Sequence, residues 1–103
     1  MEQDNKQIEL FMNDIIIMLQ DNDEIDWSII FKELFLEYVN NETKDEAVKK
    51  VISIYKGGIG SFADLVLHKN SKMLIEENDR LAKLKHELYV SCRKYCYNHA
   101  IDI

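Results

Sequence analysis

The three glycines of this 103-residue chain all lie within four positions, in the segment YKGGIGSFADL at residues 55–65. Glycine-rich turns that lead into helices bind phosphate groups, because bare backbone N–H groups and the helix dipole converge there. This segment lacks the Gly-Lys-Ser/Thr ending of a P-loop and the G-x-G-x-x-G spacing of a dinucleotide site. We therefore expect residues 55–65, here called the corner, to turn the chain rather than to bind a nucleotide.

The corner interpretation gives most residues of the segment a structural role. The first two glycines offer a left-handed end to the preceding helix, and the third permits a second bend. The serine and the aspartate match a Ser-x-x-Asp capping box that begins a short helix. The phenylalanine then docks into the core. The residues of this predicted structural motif are Gly57, Gly58, Gly60, Ser61, Phe62 and Asp64.

The cysteines and histidines form no recognisable catalytic or metal-binding motif. Cys92 and Cys96 are four residues apart, which puts them on one face of a predicted helix and predicts buried thiols. His99 adds only a third ligand, at a helix end. His68 and His86 belong to no H-x-x-x-H or H-E-x-x-H spacing. No serine has an identifiable base nearby in a known motif. We expect no catalytic residue, no metal, no cofactor and no enzyme activity.

Composition predicts a folded protein of one domain, residues 1–103. Hydrophobic residues make up 47% of the chain, too many for a disordered tail. The longest apolar run, IIIML at 15–19, is far shorter than the ~20 residues of a membrane span. The polar, acidic start MEQDNKQ does not resemble a signal peptide. We expect a cytoplasmic protein with no membrane partner.

Hydrophobic periodicity predicts an all-α bundle of four main helices plus a short helical element after the Gly-rich corner. The main helices are expected at about 5–20, from the acidic link to about 40, from Thr43 to Gly57, and at about 78–98. Asp23 or Asp26 is expected to cap the second helix, and Thr43 with Glu46 to form a capping box on the third. The core residues predicted on these four helices are Ile8, Phe11, Ile15, Met18, Ile29, Ile30, Leu34, Phe35, Tyr38, Ala47, Val48, Val51, Ile52, Tyr55, Leu81, Leu84, Leu88, Cys92 and Tyr95.

Charge is divided unevenly along the chain. Residues 1–46 carry a net charge of −10 and residues 47–103 carry +4, within a total of −6. Two explanations stay open: these are solvated helix faces, whose exposed pairs are worth about 0–1 kcal/mol each, or the first half attracts a basic partner. Trp27 and Phe31 are the expected apolar anchors of such a contact. The residues predicted to bind the partner are Asp21, Asp23, Glu24, Asp26, Trp27, Glu33 and Glu37.

The corner, together with NDRLAKLKHELY at residues 78–89, resembles a small bacterial helical family with a GGMGSFNDL-type block and no defined enzymatic role. Proteins of this sort resemble the immunity partners of secreted or contact-delivered toxins. The resemblance covers about residues 51–90. Ile59 and Ala63 depart from the block, which has Met and Asn there, so a side-chain hydrogen bond that Asn offers is not available to Ala63.

The resemblance and the acidic half lead to one functional hypothesis. The chain is expected to be an immunity protein that neutralises a cognate basic toxin, a nuclease, by occluding its active site. An acidic inhibitor suits a groove built to hold phosphates. The alternative is a regulatory or adaptor domain that acts as a homodimer. Direct nucleic-acid binding is not expected, because the chain is acidic and its basic residues are dispersed. The oligomeric state expected is a monomer or a weak homodimer.

Overall fold

The computed structural model describes residues 2–56, 60–69 and 72–103, with side chains from residue 5 onward. Four helices account for most of it: α1 (Glu2–Asp21), α2 (Ile25–Val39), α3 (Lys44–Ile54) and α4 (Ile75–Asn98). A short 3₁₀ helix, Phe62–Asp64, follows Ser61. The predicted fold class, an all-α bundle with a short helical element after the corner, is confirmed.

A short hairpin, in which each strand has two residues, separates the 3₁₀ helix from α4. No sequence pattern predicted it. Strands β1 (His68–Lys69) and β2 (Lys72–Met73) pair in antiparallel fashion, with His68 opposite Met73. Just outside this ladder, the Leu74 N–H group donates to the Leu67 carbonyl at 3.1 Å. The hairpin therefore delivers the chain directly to the first turn of α4.

The helices pack as a ring in which α1 contacts α2, α2 contacts α3, α3 contacts α4, and α4 returns to α1. Their inner faces share one apolar core, since every helix has buried residues at three-to-four spacing. Most predicted core positions are buried. The fully buried large side chains include Ile8, Met12, Ile15, Leu19, Phe31, Tyr38, Phe62, Leu81 and Leu88.

Ile29 and Ile30 were expected in the core, and that prediction is wrong. They are 50% and 38% exposed, whereas Phe31, Leu34 and Tyr38 form the buried face of α2. Because α2 carries apolar residues around most of its circumference, hydrophobicity alone does not show which face packs inward. The packing against α1 and α3 decides it.

The predicted side-chain caps are also wrong. The N-cap residue of α2 is Glu24, without a side-chain cap bond, while Asp26 lies inside the first turn and Asp23 adopts a left-handed φ of 60°. Thr43 does occupy the N-cap position of α3. Its hydroxyl donates to the Glu37 carbonyl at 2.7 Å instead of accepting from the first turn of α3. The Thr43 hydroxyl thus joins the end of α2 to the start of α3.

Two helix ends differ from the predicted ones. Helix α3 ends at Ile54, before the first glycine, and the Lys56 N–H group donates to the Ser53 carbonyl in a tight turn. Gly57 and Gly58, the predicted terminators, lie outside the described residues. Helix α4 begins at Ile75, three residues earlier than expected, because Asn78 already donates its backbone N–H to the Leu74 carbonyl.

Candidate partner-binding surface

The corner is held by a cluster of aromatic rings around Phe62, which is fully buried. The Phe62 ring centroid lies 4.6 Å from that of Phe31, 5.2 Å from that of Trp27 and 5.4 Å from that of Tyr55. Tyr55 also packs on Tyr89 of α4 at 5.0 Å. These tilted and edge-to-face contacts are the favourable geometries for ring pairs. Phe62 thus joins α2, the end of α3 and α4, as the corner interpretation expected.

Polar side chains of α4 satisfy the backbone that leaves the corner. Lys85 Nζ donates to the Leu65 carbonyl at 2.6 Å and lies 5.4 Å from the centroid of the Phe62 ring. Burial lowers the pKa of Lys85, and the nearby Asp64 carboxylate partly offsets this. Asn78 Nδ2 donates to the Leu67 carbonyl at 2.9 Å, and Asn78 Oδ1 accepts the Leu67 N–H at 2.7 Å. The sequence analysis gave Asn78 no such role.

The glycine and capping predictions for the corner have mixed outcomes. Gly60 has a φ of +89°, the left-handed conformation that the predicted bend requires. Ser61 occupies the N-cap position of the 3₁₀ helix, but its side chain makes no cap bond. Its carbonyl instead accepts the Asp64 N–H at 3.1 Å. The capping box is therefore wrong, and the turn is closed by backbone alone.

Four of the predicted partner-binding residues meet at one end of the bundle, where α1 turns into α2. This group, called the acidic end, consists of Asp21, Asp23, Glu24 and Asp26. All are exposed except Glu24, which is half-buried. Backbone bonds fix the turn, since the Glu24 N–H donates to the Leu19 carbonyl at 2.9 Å. Within the described part of the chain, none of the four has an ion-pair partner.

The other two predicted acids lie along α2 in line with Asp26. Positions 26, 33 and 37 share one face of a helix, because they are seven and four residues apart. Glu33 is exposed. Glu37 already accepts two hydrogen bonds from Lys50 Nζ, at 2.9 and 3.0 Å. Glu37 thus links α2 to α3, and it is less available to a partner than Glu33.

The two predicted apolar anchors also have different outcomes. Phe31 is completely buried, so its predicted role in gripping a partner is wrong. Trp27 is half-buried beside the acidic end and keeps part of its ring accessible. The difference follows from position: Trp27 lies in the first turn of α2, where the bundle ends, and Phe31 lies one turn further into the core.

A row of exposed apolar side chains on α2 was not predicted from the sequence. On the outer face of α2, Ile25, Ile29, Leu36 and Val39 are 64%, 50%, 66% and 44% exposed. With Lys32 they follow a 4-3-4-3 spacing, the heptad pattern of a helix that packs on another helix. This row of five residues is called the seam. Its spacing was visible in the sequence, but it overlapped with that of the core residues.

An open groove of about 730 Å³ runs between α1 and α4. Phe11, Met18 and Leu84 line it, together with Asp14 and Asp21 on α1 and Arg80 and Lys83 on α4. The α1 wall is acidic, whereas the α4 wall also carries Glu77 and Glu87, which balance its two cations. No ion pair joins the two walls among the described residues. The groove therefore continues the acidic surface of α1.

Burial favours the neutral, protonated forms of the Cys92 thiol and of the Tyr55 and Tyr95 hydroxyls. Burial, and then the neighbouring Cys96, raises the pKa of the Cys92 thiol to about 12. Burial also raises the pKa of Tyr55 far above its ordinary range. Tyr95 donates its hydroxyl to Asp45 Oδ1 at 2.8 Å, and burial followed by this contact raises its pKa. A thiol with a raised pKa is a poor nucleophile, because the thiolate is the reactive form.

The described residues include neither a group of metal ligands nor a membrane-spanning helix. In residues 2–56, 60–69 and 72–103, no three His, Cys, Asp or Glu side chains are grouped so that they hold a metal ion. In the same ranges, no helix combines the length and apolar character that crossing a bilayer requires.

Comparison with known proteins shows the family of this chain. The model of a domain of unknown function, DUF6966, matches residues 20–75, just over half of the chain. The chain belongs to the DUF6966 family. No curated protein matches the chain. No solved structure matches it either. The DUF6966 match begins at the acidic end, includes the seam and the corner, and stops at the first residue of α4. The resemblance to toxin-immunity proteins stays a prediction.

Proposed function

We propose that this DUF6966 protein is a non-catalytic immunity protein that binds and neutralises a basic protein toxin, most simply a nuclease, made by the same cell. The observation that carries the proposal is the acidic end. Four carboxylates lie within six residues at an exposed turn, and no described cation neutralises them. The resemblance of the corner to immunity-like proteins supports the choice of partner.

The turn geometry suits a rigid contact. The acidic end is held by main-chain hydrogen bonds from both flanking helices, so a partner meets carboxylates already in position. These carboxylates stabilise α2 only slightly, because a carboxylate near a helix N-terminus contributes about 0.3–1 kcal/mol. Trp27, beside the acidic end, supplies an aromatic surface of the kind that dominates binding energy at interfaces.

Inhibition then requires no chemistry in this chain. A nuclease holds its substrate in a groove lined with cations, because most of its affinity comes from phosphate contacts. The acidic end fits the same cations and covers the groove. Charge complementarity mainly speeds association, to about 10⁸–10⁹ M⁻¹s⁻¹ in favourable cases at low salt. Packing around Trp27 slows dissociation.

The test is binding to the protein encoded by the adjacent open reading frame, co-expressed with this chain and then measured with purified components. A variant that replaces the four acids by their amides is expected to slow association at low salt by at least about tenfold. Its unfolding free energy should fall by no more than about 2 kcal/mol. The substitutions are Asp21→Asn, Asp23→Asn, Glu24→Gln and Asp26→Asn.

A control variant with the same change in net charge separates a local surface from overall charge. It carries Glu9→Gln, Glu42→Gln, Glu46→Gln and Asp102→Asn; Glu9 is half-buried and the others are exposed, and none of the four lines the groove beside Asp21. The control is expected to associate within about threefold of the native rate. Equal slowing by both variants, or no complex with the native protein at micromolar concentration, would overturn the proposal.

A further inference from the structure

The seam on α2 has no counterpart elsewhere on the described surface. Other exposed apolar residues, such as Leu10 and Ile17 on α1, are a full two turns apart and separated by polar side chains. The seam instead has apolar side chains at four of five successive half-heptad positions along one helix, with Lys32 at the middle one. Helix α2 packs against α1 and α3 with its opposite face, so the seam is left outward in the monomer.

We infer that the seam binds a second copy of this chain, with the two α2 helices antiparallel about a two-fold axis. Such an interface is isologous, so the same patch must complement itself. An axis between positions 32 and 33 puts Ile29 opposite Leu36 of the other copy. It also puts Lys32 of each copy opposite Glu33 of the other, so the dimer has two such pairs.

Charge selects this arrangement over the parallel one. In a parallel pair, Lys32 would meet Lys32 of the other copy. In the antiparallel pair the central cation meets a carboxylate. A single lysine in an otherwise apolar seam sets the register of helix pairs at some cost in stability. Lys32 is exposed in the monomer, where no described carboxylate pairs with it.

The area available predicts a weak dimer. Helix α2 has 15 residues and is therefore about 22 Å long. A contact one helix wide along that length covers less than the roughly 1,600 Å² of a standard stable interface. The dimer should therefore form and dissociate in a concentration-dependent way. The acidic end overlaps the seam only at its last residue, Asp26, so dimer formation leaves Asp21 and Asp23, which lie before α2, accessible.

The test is sedimentation velocity of the full chain from micromolar to millimolar concentration. The native protein is expected to shift from monomer to dimer over this range. Leu36→Lys should keep it monomeric throughout. Leu10→Lys, an equally exposed apolar residue on α1, should leave the dimer unchanged. Circular dichroism is expected to show folded protein in each case, because both positions are exposed.

A charge exchange tests the register itself. Lys32→Glu is expected to raise the dimer dissociation constant by at least about tenfold, because like charges then face each other. Adding Glu33→Lys to that variant reverses both charges and should restore the constant to within about threefold. Failure of the double variant to restore it would overturn the antiparallel register.

Two outcomes would overturn the seam dimer as a whole. One is a native protein that stays monomeric at millimolar concentration. The other is a dimer that Leu36→Lys does not weaken. If the native protein is monomeric and Leu36→Lys instead abolishes binding of the adjacent gene product, the seam belongs to that partner. Neither result bears on the acidic end, which is tested with its own variants.

Discussion

Phe62 in the corner and Leu36 in the seam are both large apolar residues of this chain, and the fold treats them in opposite ways. Phe62 is fully buried, and its ring contacts those of Trp27 and Phe31 on α2 and that of Tyr55. Leu36 is 66% exposed. Next to Phe62, the Ala63 and Leu65 carbonyls accept hydrogen bonds from Lys85. The comparison teaches that hydrophobicity alone does not decide burial: the packing of neighbouring elements covers Phe62 and leaves Leu36 outside the core.

The largest expected effect is at the centre of the corner. Phe62→Ala removes the ring that joins α2, α3 and α4, and it should lower the free energy of unfolding by about 3–5 kcal/mol. Urea denaturation followed by circular dichroism measures this. Val66→Ala, four residues further on and exposed, should cost less than about 1 kcal/mol. Equal stability of the two variants would show that the Phe62 ring stabilises the fold no more than an exposed side chain does.

A second substitution tests how the corner is tied to α4. Asn78→Ala deprives the Leu67 N–H group of its acceptor, and a partly buried backbone group left unpaired costs about 1–3 kcal/mol. Asp79→Ala, at the neighbouring exposed position, should change the unfolding free energy by less than about 0.5 kcal/mol. Thermal denaturation of the pair gives the difference. Equal melting temperatures would mean that the Asn78 side chain contributes nothing.

Measuring the unfolding free energy as a function of pH tests the burial of the Cys92 thiol. The folded state keeps the Cys92 thiol protonated up to about pH 12, while the unfolded thiol ionises near pH 9. The unfolded state therefore binds fewer protons between these values, and stability falls as pH rises through that window. The slope from this group is at most about 1.4 kcal/mol per pH unit.

The Cys92→Ala variant isolates that contribution. Its unfolding free energy should decline less steeply above pH 9 than that of the native protein, and Ser91→Ala should retain the native slope. Lys85, whose pKa is lowered, acts in the opposite direction as pH approaches 10.5, so the comparison between variants matters more than the total slope. Identical slopes for the native protein and Cys92→Ala would contradict a buried thiol.

The smallest expected effect is at the seam. Leu36→Lys should change the unfolding free energy of the monomer by no more than about 0.5 kcal/mol, because surface substitutions away from special features have small effects. Denaturation at low micromolar concentration, where the seam dimer is dissociated, measures it. A loss comparable to that of Phe62→Ala would show that the seam packs within the monomer, and would remove the contrast between the two regions.

Much of the fold was predictable from local patterns. Three-to-four spacing located all four helices, since a helix that buries one face must repeat its apolar residues at that period. The same reasoning placed Leu81, Leu88 and Cys92 in the core. Caps were less predictable. The Thr43 hydroxyl had two possible partners close together, and it bonds the Glu37 carbonyl of the preceding helix.

The candidate site was predictable only in part. The acidic end follows from sequence because its carboxylates are neighbours along the chain, so any turn there brings them together. The pairing of the Glu37 carboxylate depends on Lys50, which lies 13 residues away in sequence and belongs to another helix. Phe31 and Leu36 are similar in hydrophobicity, and their roles depended on the rotation of α2 against α1 and α3.

The sequence by itself determined the helical class, the position of the corner and the division of charge, because each depends on residues near one another in the chain. Only the tertiary structure decided which apolar face of α2 is covered, which carboxylates are neutralised and which backbone groups Lys85 and Asn78 satisfy. These depend on contacts between distant segments, whose geometry is fixed when the four helices pack together. The seam is the outcome of that packing, since the bundle has room to bury only one face of α2.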